Sequence, residues 1–242
     1  MILLISALLA VASPPALDKS CKAGKAAACR ELADLSRQGR SVPKDDQRAA
    51  QLWKRACKLG DADGCADDAL ALVLGTGQYA EPIPALARLE KLCKAGHQLA
   101  CANLGALFTQ GFGKPADAAR APKLLAGACD QGILSACRTL AVVAAKKDDL
   151  EEASKLADRA CSGGDPEGCV LLGDLFARSD DVLRAGAAFS KACQSGVPAG
   201  CYGQAMVLIQ SGADRERAKQ LLDEACQGGD RRACQEELNP DL

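Results

Sequence analysis

Fourteen cysteines fall into seven equally spaced pairs, and this pattern constrains the fold more than any other feature of the sequence. In each pair the second cysteine follows the first by eight positions, and no cysteine is left over. The third residue after each first cysteine is always glycine, and the residue before each second cysteine is always alanine or glycine. The pairs are Cys21 and Cys29, Cys57 and Cys65, Cys93 and Cys101, Cys129 and Cys137, Cys161 and Cys169, Cys193 and Cys201, and Cys226 and Cys234. The chain is therefore an array of repeats.

The repeat length predicts a solenoid of helix pairs. Successive first cysteines are 36, 36, 36, 32, 32 and 33 residues apart, and periods in this range are typical of stacked helical hairpins. Helices commonly end in a left-handed residue, which glycine adopts without steric cost. We therefore expect each first cysteine in the last turn of one helix and each second cysteine in the first turn of the next.

Each cysteine pair is predicted to form a disulfide, because adjoining turns of an antiparallel hairpin lie at the short Cα separation that a disulfide needs. Closing a nine-residue loop stabilises the fold by about 2.6 kcal/mol in the chain-entropy model. Zinc binding is the alternative, but structural zinc sites space their ligands about two to four residues apart, and the chain has one histidine. Free thiols in the cytosol would leave the complete pairing unexplained.

The composition favours closely packed helices and argues against some partners. Hydrophobic residues make up 48% of the chain and aromatic residues only 3%, which suits alanine-rich helices that approach each other closely. The net charge is −1, whereas a surface for nucleic acid or anionic membranes needs a basic excess. We therefore predict no nucleic-acid partner, and no transmembrane anchor remains once the N-terminal segment is removed.

The first residues resemble a signal peptide. An apolar stretch is followed by Ala10-Val11-Ala12, a small-x-small pattern that predicts cleavage after residue 12. A buried N-terminal helix is the alternative. Paired cysteines and a signal together predict a periplasmic or secreted protein. Residues 13–22 are predicted to be a linker and partial helix, since Pro14 and Pro15 should exclude helix before Ala16.

One domain is predicted over residues 23–238, with about six helix pairs, a C-terminal cap helix near Arg232 to Leu238 and a tail at 239–242. We call the helix that follows each second cysteine helix A, and the helix that ends at the next first cysteine helix B. Helix B always has alanine eight residues before its cysteine, and four residues before it stand Trp53, Leu89, Leu125, Ala157, Phe189 and Leu222. These positions share one helical face, so Trp53 is predicted to be a core residue.

The third repeat resembles a known family. Its matching residues are Cys101-Ala102-Asn103-Leu104-Gly105, Gly111-Phe112-Gly113, Asp117, Ala118, Leu124, Leu125 and Cys129. They are similar to a Sel1-like repeat, a relative of the tetratricopeptide repeat, and the paired cysteines resemble secreted Sel1-like proteins often labelled β-lactamase-like. The resemblance covers residues 21–238. It implies an all-α, right-handed α/α superhelical solenoid, an extracytoplasmic location and protein or peptide binding, with weak penicillin hydrolysis in some members.

No catalytic residue, cofactor site or metal site is predicted from the residues themselves. Ser41-Val42-Pro43-Lys44 matches the Ser-x-x-Lys pattern of serine β-lactamases, but the Ser-Asp-Asn and Lys-Thr-Gly motifs are missing. His97, the one histidine, has no spare nucleophile near it in sequence. The predicted function is a monomeric scaffold that binds a protein or peptide. The alternatives are a β-lactam-binding protein with weak β-lactamase activity and a structural envelope protein.

Helix A lines the concave face in tetratricopeptide-type solenoids, so its exposed stripe is the predicted binding surface. Positions two and nine after each second cysteine lie outside the core face. Side-chain amides offer both donor and acceptor, and Asn103 and Gln110 are therefore predicted to bind a peptide backbone. Glu31 and Asp67 would favour a basic segment. A solvated polar face without a ligand is the alternative.

Overall fold

A computed structural model describes residues 13–113 and 115–237, and within them the chain forms 14 helices and no strand. The predicted signal peptide and the tail lie outside these residues. No described helix is both long enough and apolar enough to span a membrane. The helices are α1 (Pro14–Lys22), α2 (Ala26–Gln38), α3 (Asp46–Lys58), α4 (Ala62–Leu74), α5 (Pro82–Lys94), α6 (Gln98–Thr109), α7 (Pro115–Asp130), α8 (Leu134–Lys146), α9 (Leu150–Gly163), α10 (Pro166–Arg178), α11 (Val182–Gln194), α12 (Pro198–Ser211), α13 (Arg215–Gln227) and α14 (Arg231–Glu237).

Even-numbered helices are the A helices and odd-numbered helices are the B helices. The chain divides into two compact units, Met1–Ala100 and Cys101–Leu242. In the first unit each helix packs against the next from α1 to α5, and the A helices α2 and α4 also touch. In the second unit sequential packing runs from α7 to α14, and α10 touches both α8 and α12. The predicted all-α fold of stacked helix pairs is confirmed, and α14 is the predicted cap helix.

The start of α1 corrects one prediction. Pro14 and Pro15 do not exclude helix before Ala16, because α1 begins at Pro14 with proline in its first turn. The N–H that proline lacks has no intrahelical acceptor there, and its fixed φ suits a helix. Other helices begin with an aspartate whose carboxylate accepts a backbone N–H bond, namely Asp45, Asp61, Asp149, Asp165, Asp181 and Asp214.

A repeated corner joins each helix B to the next helix A. All seven glycines have positive φ, from 79° to 104°. Each glycine N–H donates to the carbonyl of the first cysteine at 2.8–3.1 Å, and the next N–H donates to the carbonyl of the residue before that cysteine. The residues in the left-handed conformation are Gly24, Gly60, Gly96, Gly132, Gly164, Gly196 and Gly229. Two such bonds around a left-handed glycine form a Schellman motif, which ends helix B and reverses the chain.

Disulfides link the two helices at this corner. Six of the predicted pairs are bridged, with Cα–Cα separations of 4.4–4.8 Å. Cys93 and Cys101 are disulfide-bonded too, and no described cysteine is free. The alanine or glycine before each second cysteine permits this approach. A Cβ at Gly168, for example, would lie 2.7 Å from the Cβ of Ala160.

The core lies between helices A and B, on the predicted face. Trp53 is 4% exposed, and the alanines eight residues before the first cysteines are at most 2% exposed. Glycines on the A helices make room for large B-helix side chains. A Cβ at Gly173 of α10 would lie 2.6 Å from the ring of Phe189, and one at Gly203 of α12 would lie 2.5 Å from it.

Protein purified from an oxidising compartment should contain no free thiol under denaturing conditions, because all 14 cysteines are bridged. Mass spectrometry without reductant should give a mass 14 hydrogens below that of the reduced chain. Several reactive thiols in such protein would contradict the pairing.

Gly132→Val should lower the free energy of unfolding by about 1–2 kcal/mol, because a β-branched residue is strained at positive φ. An added Cβ would meet no atom within 4 Å at Gly132, so backbone strain alone is tested. Gly127→Ala is the control, since Gly127 lies inside α7 and is equally open. That change should stabilise the protein by about 0.5–1 kcal/mol. Urea denaturation midpoints measure both variants. A midpoint for Gly132→Val that stays unchanged, or rises as that of Gly127→Ala should, would contradict the left-handed cap.

Candidate binding surface

The predicted groove residues differ in their exposure and belong to different units. Glu31 on α2 is exposed and Asp67 on α4 is half-buried, both in the first unit. Gln110, just beyond α6, is exposed in the second unit, whereas Asn103 on α6 is only 7% exposed. Asp67 and Asn103 both interact with other groups of the protein. Glu31 and Gln110 therefore offer the accessible side chains, and Asn103 offers little surface to a ligand.

A cavity of about 180 Å³ lies on the A-helix face of the second unit. Helix α10 contributes Val170 and Asp174, α12 contributes Tyr202 and Met206, and α14 contributes Arg232. Val170 and Tyr202 stand one residue after their second cysteines, and Asp174 and Met206 stand five after theirs. Sequence reasoning chose positions two and nine and so missed these residues. Two of those positions, Gly203 and Gln210, do line the cavity.

Two charged side chains of the described residues line this cavity, Asp174 and Arg232, and Asp174 is the one without a hydrogen bond or an ion pair. Among the described residues it makes no hydrogen bond and no ion pair. The surrounding protein raises the pKa of its carboxyl, and the positive charge of Arg232 offsets part of that rise. The side chain is nevertheless exposed, so the raised pKa reflects the protein walls beside it and not enclosure from solvent. An exposed carboxylate without a hydrogen bond or ion pair within the protein is suited to pairing with a cation.

Arg232 is held by other groups and leaves Asp174 available. Its guanidinium donates to the Asp230 carboxylate, with Nη2 2.7 Å from Oδ2 and Nε 3.1 Å from Oδ1. It also lies over the Tyr202 ring, 4.3 Å from the centroid. The hydrogen bond to Arg232 lowers the pKa of Asp230. Because the hydrogen bonds of Arg232 go to Asp230, Arg232 acts on Asp174 only through its charge, and the Asp174 carboxylate accepts no hydrogen bond from it.

The first unit has an aspartate at the equivalent position, and there it is part of the structure. Asp34, five residues after Cys29, accepts a hydrogen bond of 3.0 Å from Nε1 of Trp53. Burial raises the pKa of Asp34, and the bond from Trp53 opposes that rise. Phe189 takes the place of Trp53 in the Asp174 repeat. A phenyl ring has no N–H to donate, which explains why Asp174 lacks the partner that Asp34 has.

No catalytic or metal centre emerges in the described part of the chain. Ser41 lies in the loop between α2 and α3 with φ of 58°, not at a helix start as the Ser-x-x-Lys motif requires. The one metal-like cluster there consists of Cys193, Cys201 and Glu224. Its two cysteines are joined in a disulfide, so they offer no thiolate to an ion.

Comparison with known proteins identifies the repeats. The Sel1 repeat model matches residues 26–61, 98–133 and 201–230, so the chain contains Sel1 repeats, as its sequence predicted. No curated protein sequence gives a significant match.

Solved structures share the fold at low identity. A protective antigen of uropathogenic Escherichia coli with an SLR fold is 20% identical, with a TM-score of 0.65; the match covers 93% of this chain and 50% of that one, so this chain spans about half its length. A Sel1 repeat protein from Oxalobacter formigenes is 18% identical, with a TM-score of 0.61 and coverage of 85% and 89%. An immunity protein from Pseudomonas aeruginosa is 20% identical, with a TM-score of 0.53 and coverage of 75% and 73%.

Asp174→Asn should raise the melting temperature slightly at pH 7, or leave it unchanged. A carboxyl whose pKa is raised in the folded state destabilises the fold when ionised, and this cost disappears as the pH falls through that pKa. Asp230→Asn should do the opposite, because the pKa of Asp230 is lowered. We expect it to cost up to about 1 kcal/mol at pH 7, with the loss vanishing in acid. Thermal melts from pH 7 to pH 3 check both signs, and a destabilised Asp174→Asn protein would show that Asp174 is structural.

Proposed function

We propose that this protein is an extracytoplasmic scaffold that binds a partner protein or peptide through the exposed face of its A helices. Helical repeats of this class present an extended surface to a partner. Complete cysteine pairing supports an oxidising compartment, and residues 1–12 are proposed to be a signal peptide. The observation that carries the binding proposal is the unpaired carboxylate of Asp174 in a cavity on that face.

The cavity suits one long basic side chain of a bound segment. Its volume of about 180 Å³ is below the range of about 300–1,000 Å³ typical of small-molecule sites. Val170 and Met206 supply apolar walls for an aliphatic stem, and Asp174 supplies the charge for its head. We therefore favour a lysine or arginine of a polypeptide over a β-lactam or another small ligand.

The exposed residues predicted from sequence add further candidate contacts on the A helices of each unit. Gln110 would hydrogen-bond a peptide backbone in the second unit, where its amide is exposed. Glu31 and Asp67 would attract basic residues of a ligand to the first unit. Asn103 is buried. We therefore propose that it supports this surface from within and does not contact the ligand.

Selection from a phage-displayed library of random peptides tests the proposal. The wild-type protein should enrich sequences with lysine or arginine, and Asp174→Asn should bind the selected peptides at least tenfold more weakly by fluorescence anisotropy. Asp223→Asn is the matched control, because Asp223 is an exposed carboxylate on α13, outside the cavity.

Acidification should weaken binding as Asp174 becomes protonated, and its raised pKa places this loss at a higher pH than for an ordinary aspartate. Selected peptides that bind wild type and Asp174→Asn with equal affinity would refute the role of the cavity. Failure to enrich any peptide would refute peptide binding itself.

A further inference from the structure

A second candidate surface lies in the first unit, in a groove between the B helices α1 and α3. We call it the basic groove. Its charged lining is Lys22, Arg48, Lys54, Arg55 and Lys58 against the single acid Asp18, and its volume is about 640 Å³. The two helices are joined across it, since Arg55 Nη2 donates to the carbonyl of Lys22 at 3.2 Å and Arg48 lies 3.7 Å from Asp18.

Charge is unevenly distributed along the chain, and the segment that forms this groove has a basic excess. Residues 13–58 contain 11 lysines and arginines but only 5 aspartates and glutamates, a net charge of +6 in a chain whose total is −1. Overall net charge therefore conceals a strongly basic segment. The local positive potential also acts on Asp18, whose pKa is lowered first by a hydrogen bond from Lys22 and further by Arg48 and Arg55.

Much of this positive charge is not neutralised by the protein itself. Among the described residues, Lys54 and Lys58 form no ion pair, and Arg55 interacts with Asp18 only through its charge. All three side chains are exposed. Asp18 already binds Lys22 at 2.6 Å. Lys54 and Lys58 on α3 therefore remain available to an external anion, and the exposed guanidinium of Arg55 lies beside them in the lining.

The groove also has features that suit a polypeptide. Leu52 is half-buried and Leu59 is 42% exposed, so the lining includes apolar surface. Gln51 and Lys54 also line an adjoining depression, which reaches the loop that carries Tyr79. Tyr79 is 95% exposed. That loop is held close to α3, because a Cβ on Gly77 would overlap with the backbone of Asp46.

The second unit provides an internal comparison. A cavity of about 460 Å³ is lined by the B helices α7 and α9 together with α8 and the loop between α8 and α9. Its charged residues are Asp130, Lys147, Asp149, Glu152 and Arg159. Arg159 Nη1 there donates to Asp130 at 3.2 Å. Acids outnumber bases in that lining, so a basic excess is not a necessary property of the repeat architecture. The groove between α1 and α3 differs from that cavity in its excess of basic residues.

We propose that the basic groove binds an acidic segment of a partner protein. Carboxylates of such a segment would pair with Lys54, Arg55 and Lys58, and the amide of Gln51 would hydrogen-bond its backbone. A concave channel between two helices fits a chain better than it fits a flat bilayer, which favours a polypeptide over a membrane. This proposal is independent of the A-helix surface, because it uses B helices and the opposite ligand charge.

Fluorescence anisotropy with a labelled peptide of alternating glutamate and leucine tests the proposal, and the peptide with glutamine in place of glutamate is the uncharged probe. The full chain should bind the acidic peptide at least tenfold more tightly than the glutamine peptide, with affinity falling as salt rises. Lys54→Glu combined with Lys58→Glu should weaken binding at least tenfold.

Lys123→Glu combined with Lys219→Glu is the matched control, because both lysines are exposed and lie on other B helices. It changes the net charge equally and should leave affinity within about twofold of wild type, since the altered charges lie outside the groove. Lys54→Gln combined with Lys58→Gln should give an intermediate loss, and circular dichroism checks that all variants are folded. Equal losses in groove and control variants would overturn the proposal in favour of nonspecific attraction.

Two further outcomes would also overturn it. One is binding to phosphatidylglycerol vesicles without binding to the acidic peptide, which would assign the groove to a membrane. The other is self-association in light scattering that Lys54→Glu with Lys58→Glu abolishes, which would assign it to a second copy of this chain.

Discussion

The corner between helix B and the next helix A is the constraint on which the rest of this fold depends. A left-handed glycine reverses the chain through two backbone hydrogen bonds, and a disulfide then fixes the adjoining turns with Cα atoms under 5 Å apart. Small residues next to the cysteines permit this distance, as Gly168 and Ala160 show. Alanines bury little apolar surface each, so the hydrophobic term per repeat is modest. Short covalent loops stabilise the native state by restricting the unfolded chain, which compensates for a core with few large side chains.

Sequence reasoning predicted the parts of the fold that every repeat must share. Three features recur in every repeat, and each has one physical explanation. They are the glycine three residues after a first cysteine, the alanine eight residues before it, and the small residues on helix A. It failed at Pro14, where proline in a first turn was taken for a helix breaker. The sequence pattern also did not predict a role for Asp174. The position five residues after the second cysteine holds an aspartate, leucine, alanine, valine or methionine in different repeats, so it has no periodic signal. Whether an aspartate there is bonded depends on a residue of the neighbouring helix, and no periodic pattern contains that information.

Charge illustrates the same limit in another form. A total of −1 led us to expect no surface for nucleic acid or anionic membranes, yet the total averages a basic segment at 13–58 with an acidic remainder. Screening confines electrostatic interactions to about 10 Å at moderate salt, so a partner responds to the local charge and not to the sum. Helix packing decides which charges become neighbours. Asp18 is bound by Lys22, while Lys54 and Lys58 on α3 have no such partner among the described residues.

A repeat whose corners are fixed covalently can vary elsewhere without loss of the fold, and the two aspartates five residues after their cysteines show the result. Asp34 and Asp174 occupy the same position, and the surrounding protein raises the pKa of both carboxyls, although Asp34 is half-buried and Asp174 is exposed. With Trp53 beside it, Asp34 receives a hydrogen bond and becomes part of the structure. With Phe189 in the equivalent place, Asp174 receives no hydrogen bond from the described residues, and only the charge of Arg232 opposes the rise in its pKa. A carboxylate that its own protein leaves without a donor contributes little to stability, and a cation from a partner would supply the missing interaction.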